Sequence, residues 1–162
     1  MTDEEIFKEL LTIARQAKSQ RGAVAACLVR GGRVLVSSAS SDVPNRHAED
    51  LLFEKITHQN MRIDPNDILY VTIQPCGERT PGGGGEMYGD CATKIINSPV
   101  KHVIYAVPDP HYSSEVDARF EKAGISSHQI NNAEITKNAR AIFNETLSDA
   151  KYINQKGNRA FL

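Results

Sequence analysis

The chain has 162 residues, 40% of them apolar, and a formal net charge of −1. That length suffices for one core and not for two, so a single domain over residues 1–162 is expected. The near-zero charge excludes a general electrostatic pull on nucleic acid, and no apolar run approaches the roughly 20 residues that a bilayer span requires.

Thr2 and Glu5 are spaced as a capping box, and Ile6, Leu10, Ile13, Ala14 and Ala17 recur at helical spacing, which predicts an amphipathic helix from about Asp3 to Ala17. Ala23 to Arg30 and Arg33 to Ser40 read as strands, joined by a Gly31-Gly32 pair suited to a tight hairpin. A polar loop follows. His47 to Ile56 then places Leu51, Leu52 and Ile56 on one helical face, with His47 and Glu49 in the first turn. Asp67 to Gln74 is a nearly continuous apolar, β-branched run, as expected of a strand buried on both faces, and it delivers Cys76 at its C-terminal edge. After a glycine-rich loop, Cys91 opens a short helix stopped by Pro99. Val100 to Val107 is the next strand, Glu115 to Ala123 a helix closed by Gly124, Ile125 to Ile130 a final strand, and Ala133 to Tyr152 a last helix. This alternation predicts an α/β fold: three layers, α/β/α, around a mixed five-stranded sheet.

Three short motifs carry the chemistry. His47-Ala48-Glu49, Pro75-Cys76 and Gly89-Asp90-Cys91 supply one imidazole, two thiols and one carboxylate. A zinc ion at a catalytic site takes three protein ligands and keeps a fourth position open, and His47, Cys76 and Cys91 make that count. The order H-x-E followed by P-C and a second Cys is the signature of zinc nucleobase deaminases, in which the Glu shuttles protons and is not a ligand. The long gap between the cysteines departs from it. Glu49 is therefore the expected base and then acid, and ammonia an expected product. The odd cysteine count, with no secretory leader, argues for reduced thiols and a cytoplasmic setting. Cys27, among Ala and Val, reads as core. His58, His102, His111 and His128 stand without partner motifs and read as surface residues or supports to the site.

With the element order, H-A-E, P-C and C-A-T-K-I-I-N-S-P-V-K-H-V-I-Y-A in view, the chain resembles the zinc-dependent cytidine, deoxycytidylate and tRNA-adenosine deaminase superfamily. Within it the likeness is greatest to the pyrimidine deaminase domain of riboflavin biosynthesis, through Arg79-Thr80-Pro81, Asp109-Pro110, F-E-K-A-G-I and the tail segments N-A-R-A-I-F-N-E-T-L and G-N-R-A-F-L. The resemblance implies deamination of a ribosylaminopyrimidine phosphate, a small-molecule substrate, and assembly as a homo-oligomer. It also implies that the Ala48 N–H contacts the base carbonyl and that the Pro75 carbonyl receives the leaving amine.

Departures fall on substrate contacts. Ser19-Gln20-Arg21-Gly22 replaces the family's Asn-Pro-Asn-Pro turn, and Ser38-Ala39-Ser40 stands where a ring or amide commonly touches sugar or base, leaving Ser40 as the contact. The run Gly82 to Gly85 lengthens the loop between the cysteines and reads equally as a mobile lid or a surface insertion. Arg79 and Lys94 are candidate phosphate contacts. Alternatives are an RNA or nucleoside deaminase, disfavoured by neutral charge and the lack of Trp, a free-base deaminase, and a non-catalytic zinc scaffold, against which the intact Glu49 argues.

Overall fold

A strand hydrogen-bonded on both sides can stay buried only if both its faces carry apolar side chains, and the three interior strands meet that condition. In the computed structural model, which describes residues 1–42, 45–77, 90–110 and 112–148, the sheet contains β1 (Ala25–Arg30), β2 (Arg33–Ala39), β5 (Ile68–Ile73), β6 (His102–Val107) and β7 (Ser126–Gln129) in the order β2-β1-β5-β6-β7. β1 runs antiparallel to both neighbours, whereas β5, β6 and β7 are parallel. The sheet is thus mixed, as expected. Gly31 and Gly32 take φ of 55° and 75°, the left-handed pair that a two-residue hairpin between β1 and β2 needs.

Alternation along each strand divides the core in two. Ala25, Cys27, Tyr70 and Ile104 face α1 (Asp3–Arg15) and α5 (Ala133–Thr146), which contribute Phe7, Leu10, Ile135 and Ile142. Ala26, Leu28, Leu69, Val71 and Val103 face α2 (Ala48–His58), α3 (Cys91–Ile96) and α4 (Ser113–Lys122), which contribute Leu52, Ile95, Val116 and Phe120. Each buried Val, Leu, Ile or Phe among these stabilises the fold by roughly 1.5–3 kcal/mol. Cys27 is core as expected, and burial pushes its thiol up to about 12.

The expected helix starts and stops have physical causes. The Thr2 and Glu5 side chains satisfy each other's backbone N–H groups at 3.2 and 2.8 Å. At the end of α4 the Gly124 N–H donates to Glu121 O and the Ile125 N–H to Phe120 O, the paired closure of a Schellman motif.

Most element ends shift by one or two residues from expectation, and four differences have identifiable causes or bear on the site. The loop before α2 holds a small ribbon, β3 (Ser41–Asp42) with β4 (Asn45–Arg46). His47 precedes α2 as its N-cap, because its backbone is extended at φ −72° and ψ 157°. α4 begins at Ser113, two residues early, since Asp109 Oδ1 accepts the Tyr112 N–H at 2.8 Å and sets up the turn. α5 stops at Thr146: Leu147 turns to ψ 85° and bridges Arg21, and the Ser148 N–H donates to Gln20 O. The glycine run 82–85, Arg79, His111 and the tail beyond 148 lie outside the described residues. Among the described residues no helix is long and apolar enough to cross a membrane.

Candidate metal centre and active site

The sheet brings three distant residues to one edge. β5 ends at Ile73 and leads through the buried Pro75 to Cys76. Asp90 caps α3 by accepting the Thr93 N–H at 2.8 Å, which places Cys91 at the first helical position. His47 caps α2 next to both. The His47 Nδ1 lies 3.5 Å from Cys76 Sγ and 3.4 Å from Cys91 Sγ, and the three ligand atoms fall within 4.8 Å of one another. The Cys91 N–H donates to Cys76 Sγ at 3.3 Å. One imidazole and two thiols at this spacing are a donor set that suits zinc and leaves a tetrahedral position over.

Electrostatics fit that use. Cys76 is held well below the ordinary thiol value by hydrogen bonding from the Cys91 side chain, with the His47 ring and the Cys91 N–H assisting against burial. Glu49, in the first turn of α2, is only 3% exposed. Burial pushes its carboxyl up to about 7, with His47 pulling the other way. A group titrating near neutrality can both accept and return a proton.

The other expected site residues are placed as follows. Ala48 is fully buried at the first position of α2, where a backbone N–H has no intrahelical acceptor. Pro75, next to Cys76, is buried. Ser40 Oγ accepts the Val24 N–H at 3.0 Å, tying the end of β2 to the start of β1. Lys94 pairs with the buried Asp50. His58, His102 and His128 are exposed.

Residues that the motifs did not single out hold these groups in place. Asp50 Oδ2 accepts the His47 N–H at 3.1 Å. The buried Ser38 Oγ donates to the Ala48 carbonyl at 2.5 Å, pinning the first turn of α2 to β2. Gln74, just before Pro75, donates to Asp117 Oδ1 at 3.0 Å and to Ser113 O, and accepts the Asp109 N–H at 2.9 Å. Only Asp50 leaves a sequence signal, an acidic residue three positions after the helix cap.

The family model described as the cytidine and deoxycytidylate deaminase zinc-binding region matches residues 1–107, which include all three ligand candidates and Glu49. The chain belongs to that family. The matched region is the family's zinc-binding region, which makes zinc the metal, and His47, Cys76 and Cys91 form the candidate site for the ion. Solved structures share the fold. A diaminohydroxyphosphoribosylaminopyrimidine deaminase/5-amino-6-(5-phosphoribosylamino)uracil reductase from Thermotoga maritima is 20% identical with a TM-score of 0.72, over 94% of this chain and 41% of that one. The dCMP deaminase of cyanophage S-TIM5, in complex with dCMP and dUMP, is 17% identical with a TM-score of 0.56, over 80% and 99%. A structure from a study of tRNA:A34 deaminases is 20% identical with a TM-score of 0.57, over 85% and 99%. The chain thus spans about two-fifths of the length of the Thermotoga protein. No curated protein matches it by sequence.

Proposed function

We propose that the chain hydrolytically deaminates an amino-substituted pyrimidine, namely the diamino-ribosylaminopyrimidinone phosphate of riboflavin biosynthesis. The observation that carries the deamination reading is the placement of a buried carboxylate, Glu49, two residues after a histidine whose ring nitrogen lies against two thiols. When bound by His47, Cys76 and Cys91, zinc would supply a Lewis acid able to activate water at neutral pH.

In this reading Glu49 takes a proton from water and gives it to the ring nitrogen, then takes the remaining proton of the added oxygen and passes it to the departing amine. The ring carbon gains oxygen and loses nitrogen, so the ring keeps a carbonyl and ammonia leaves. The Ala48 N–H orients the base through its carbonyl, and the Pro75 carbonyl accepts from the amine. Ser40 and Arg79 are assigned to the sugar and phosphate. The substrate choice is supported by Arg79-Thr80-Pro81, Asp109-Pro110 and the F-E-K-A-G-I run, together with the fold shared with the Thermotoga deaminase/reductase. A homo-oligomer in the cytoplasm completes the reading.

A substrate panel tests it. Ammonia release by the zinc-loaded protein is expected from the ribosylaminopyrimidine phosphate at a kcat/KM well above that for dCMP, free cytosine or tRNA. Preference for dCMP or tRNA would keep the deaminase and remove the riboflavin assignment.

A further inference from the structure

We propose that Arg119, on α4, is a positioning residue that fixes the spacing of the two cysteine ligands by gripping the chain on both sides of the metal centre. The inference rests on the zinc reading of that centre. Cys76 and Cys91 are fifteen positions apart, and a chain segment of that length does not set the separation of its ends. Backbone N–H groups supply two ties, from Ala92 to Cys76 O at 3.0 Å and from Cys91 to Cys76 Sγ at 3.3 Å. Arg119 supplies a further one from a separate helix. Its Nη1 donates to the carbonyl of Gly77, the residue after Cys76, at 3.2 Å. Its Nη2 donates at 2.8 Å to Thr93 Oγ1, two residues after Cys91. Both nitrogens also lie 3.5 Å from Oδ1 of Asp90, the residue before Cys91.

Packing points to the same role. A Cβ on Gly77 would stand 2.8 Å from Val116 Cγ2 and 3.5 Å from Arg119 Nη1, so α4 is pressed against the backbone just beyond Cys76. Asp90 and Thr93 are the capping pair of α3, joined by the Thr93 Oγ1 to Asp90 Oδ2 bond at 2.9 Å. The guanidinium therefore bears on the cap that orients Cys91. A planar fork with several donors can bridge such separate acceptors, which a lysine ammonium on a flexible stem does not reproduce. Arg119 itself reaches neither the ligand atoms nor Glu49 among the described contacts, so its action runs through the Gly77 backbone and the cap of α3.

The test is the zinc affinity of wild type, Arg119→Met, Arg119→Lys and Thr93→Val by chelator competition, with the absorption spectrum of the cobalt(II)-loaded proteins and the unfolding midpoint of each metal-free protein. Loosening an outer support typically weakens metal binding about 10- to 100-fold, and that loss is expected for Arg119→Met with an altered cobalt spectrum. Arg119→Lys should recover only part of it. Thr93→Val should lose roughly five-fold, the equivalent of one hydrogen bond. Should Arg119→Met fail to fold without metal, Thr93→Val decides: unchanged affinity and spectrum there would overturn the proposal. So would a folded Arg119→Met with wild-type affinity, or full rescue by lysine. A wild-type protein that binds no zinc would overturn the metal reading itself, a result seen before any variant is made.

Discussion

The buried Asp50 carboxylate holds the backbone N–H of His47 at 3.1 Å and pairs through its other oxygen with Lys94 on α3. One side chain thereby joins the residue that offers the imidazole to the helix that begins with Cys91. Removing it leaves a part-buried N–H without this acceptor, a cost of up to about 1–3 kcal/mol. Asp50→Ala is expected to lower the unfolding midpoint and to weaken zinc binding, measured by thermal denaturation and chelator competition. Unchanged zinc affinity would show that the His47 backbone needs no such hold.

Cys91→Ser replaces a thiolate by a poor ligand at a site with three protein donors among the described residues. Zinc content per chain is expected to fall well below one by elemental analysis, with Cys76→Ser behaving alike. Cys27→Ser, in the core on the opposite side of the sheet, should leave zinc content unchanged and cost stability instead.

Legibility follows the range of the interaction. His47, Cys76 and Cys91 can be read from the chain because each marks a local event: a helix cap, a strand end, a helix start. The sheet is readable for the same reason, since β5 and β6 are apolar on both faces and the Gly31-Gly32 pair announces its hairpin. Arg119 is not readable. Its partners Gly77 and Thr93 are 42 and 26 positions away, and no local pattern encodes a side chain reaching a loop and the start of another helix. The start of α4 is hidden likewise, because the residue at its cap is Tyr112, which makes no side-chain cap bond. The end of α5 depends on Leu147 bridging Arg21, a contact between opposite ends of the fold.

Gly22 sits at φ 89°, and a Cβ there would overlap the ring of Phe143. The neighbouring Ala23 N–H donates to Thr146 Oγ1 at 2.7 Å, so this loop is docked on the end of α5. Gly22→Ala combines left-handed strain with overpacking, and a loss of about 1–3 kcal/mol is expected from denaturant unfolding. Gly31→Ala, with open space around it, should cost less.

Asp67 is fully buried, with Arg30 Nε and Nη2 donating to its carboxylate at 2.7 and 2.8 Å and the Asp64 N–H at 2.8 Å. Burial works to raise its carboxyl, and these donors outweigh it, leaving the group below its ordinary value. A carboxyl depressed by folding contributes stability that is complete above the unfolded-state pKa of about 3.9 and is lost as pH falls through the folded-state value. The stability advantage of wild type over Asp67→Asn is therefore expected to be constant at neutral pH and to shrink below about pH 4. An advantage that grows with acidification would contradict the pairing.

Ammonia release by wild type and Glu49→Ala, each assayed on the ribosylaminopyrimidine phosphate with its zinc content determined in the same sample, tests the central claim most directly. The account predicts one zinc per chain in both proteins and turnover in wild type alone, with the variant reduced by at least about 10²-fold. Undiminished turnover in a zinc-loaded Glu49→Ala protein would contradict it.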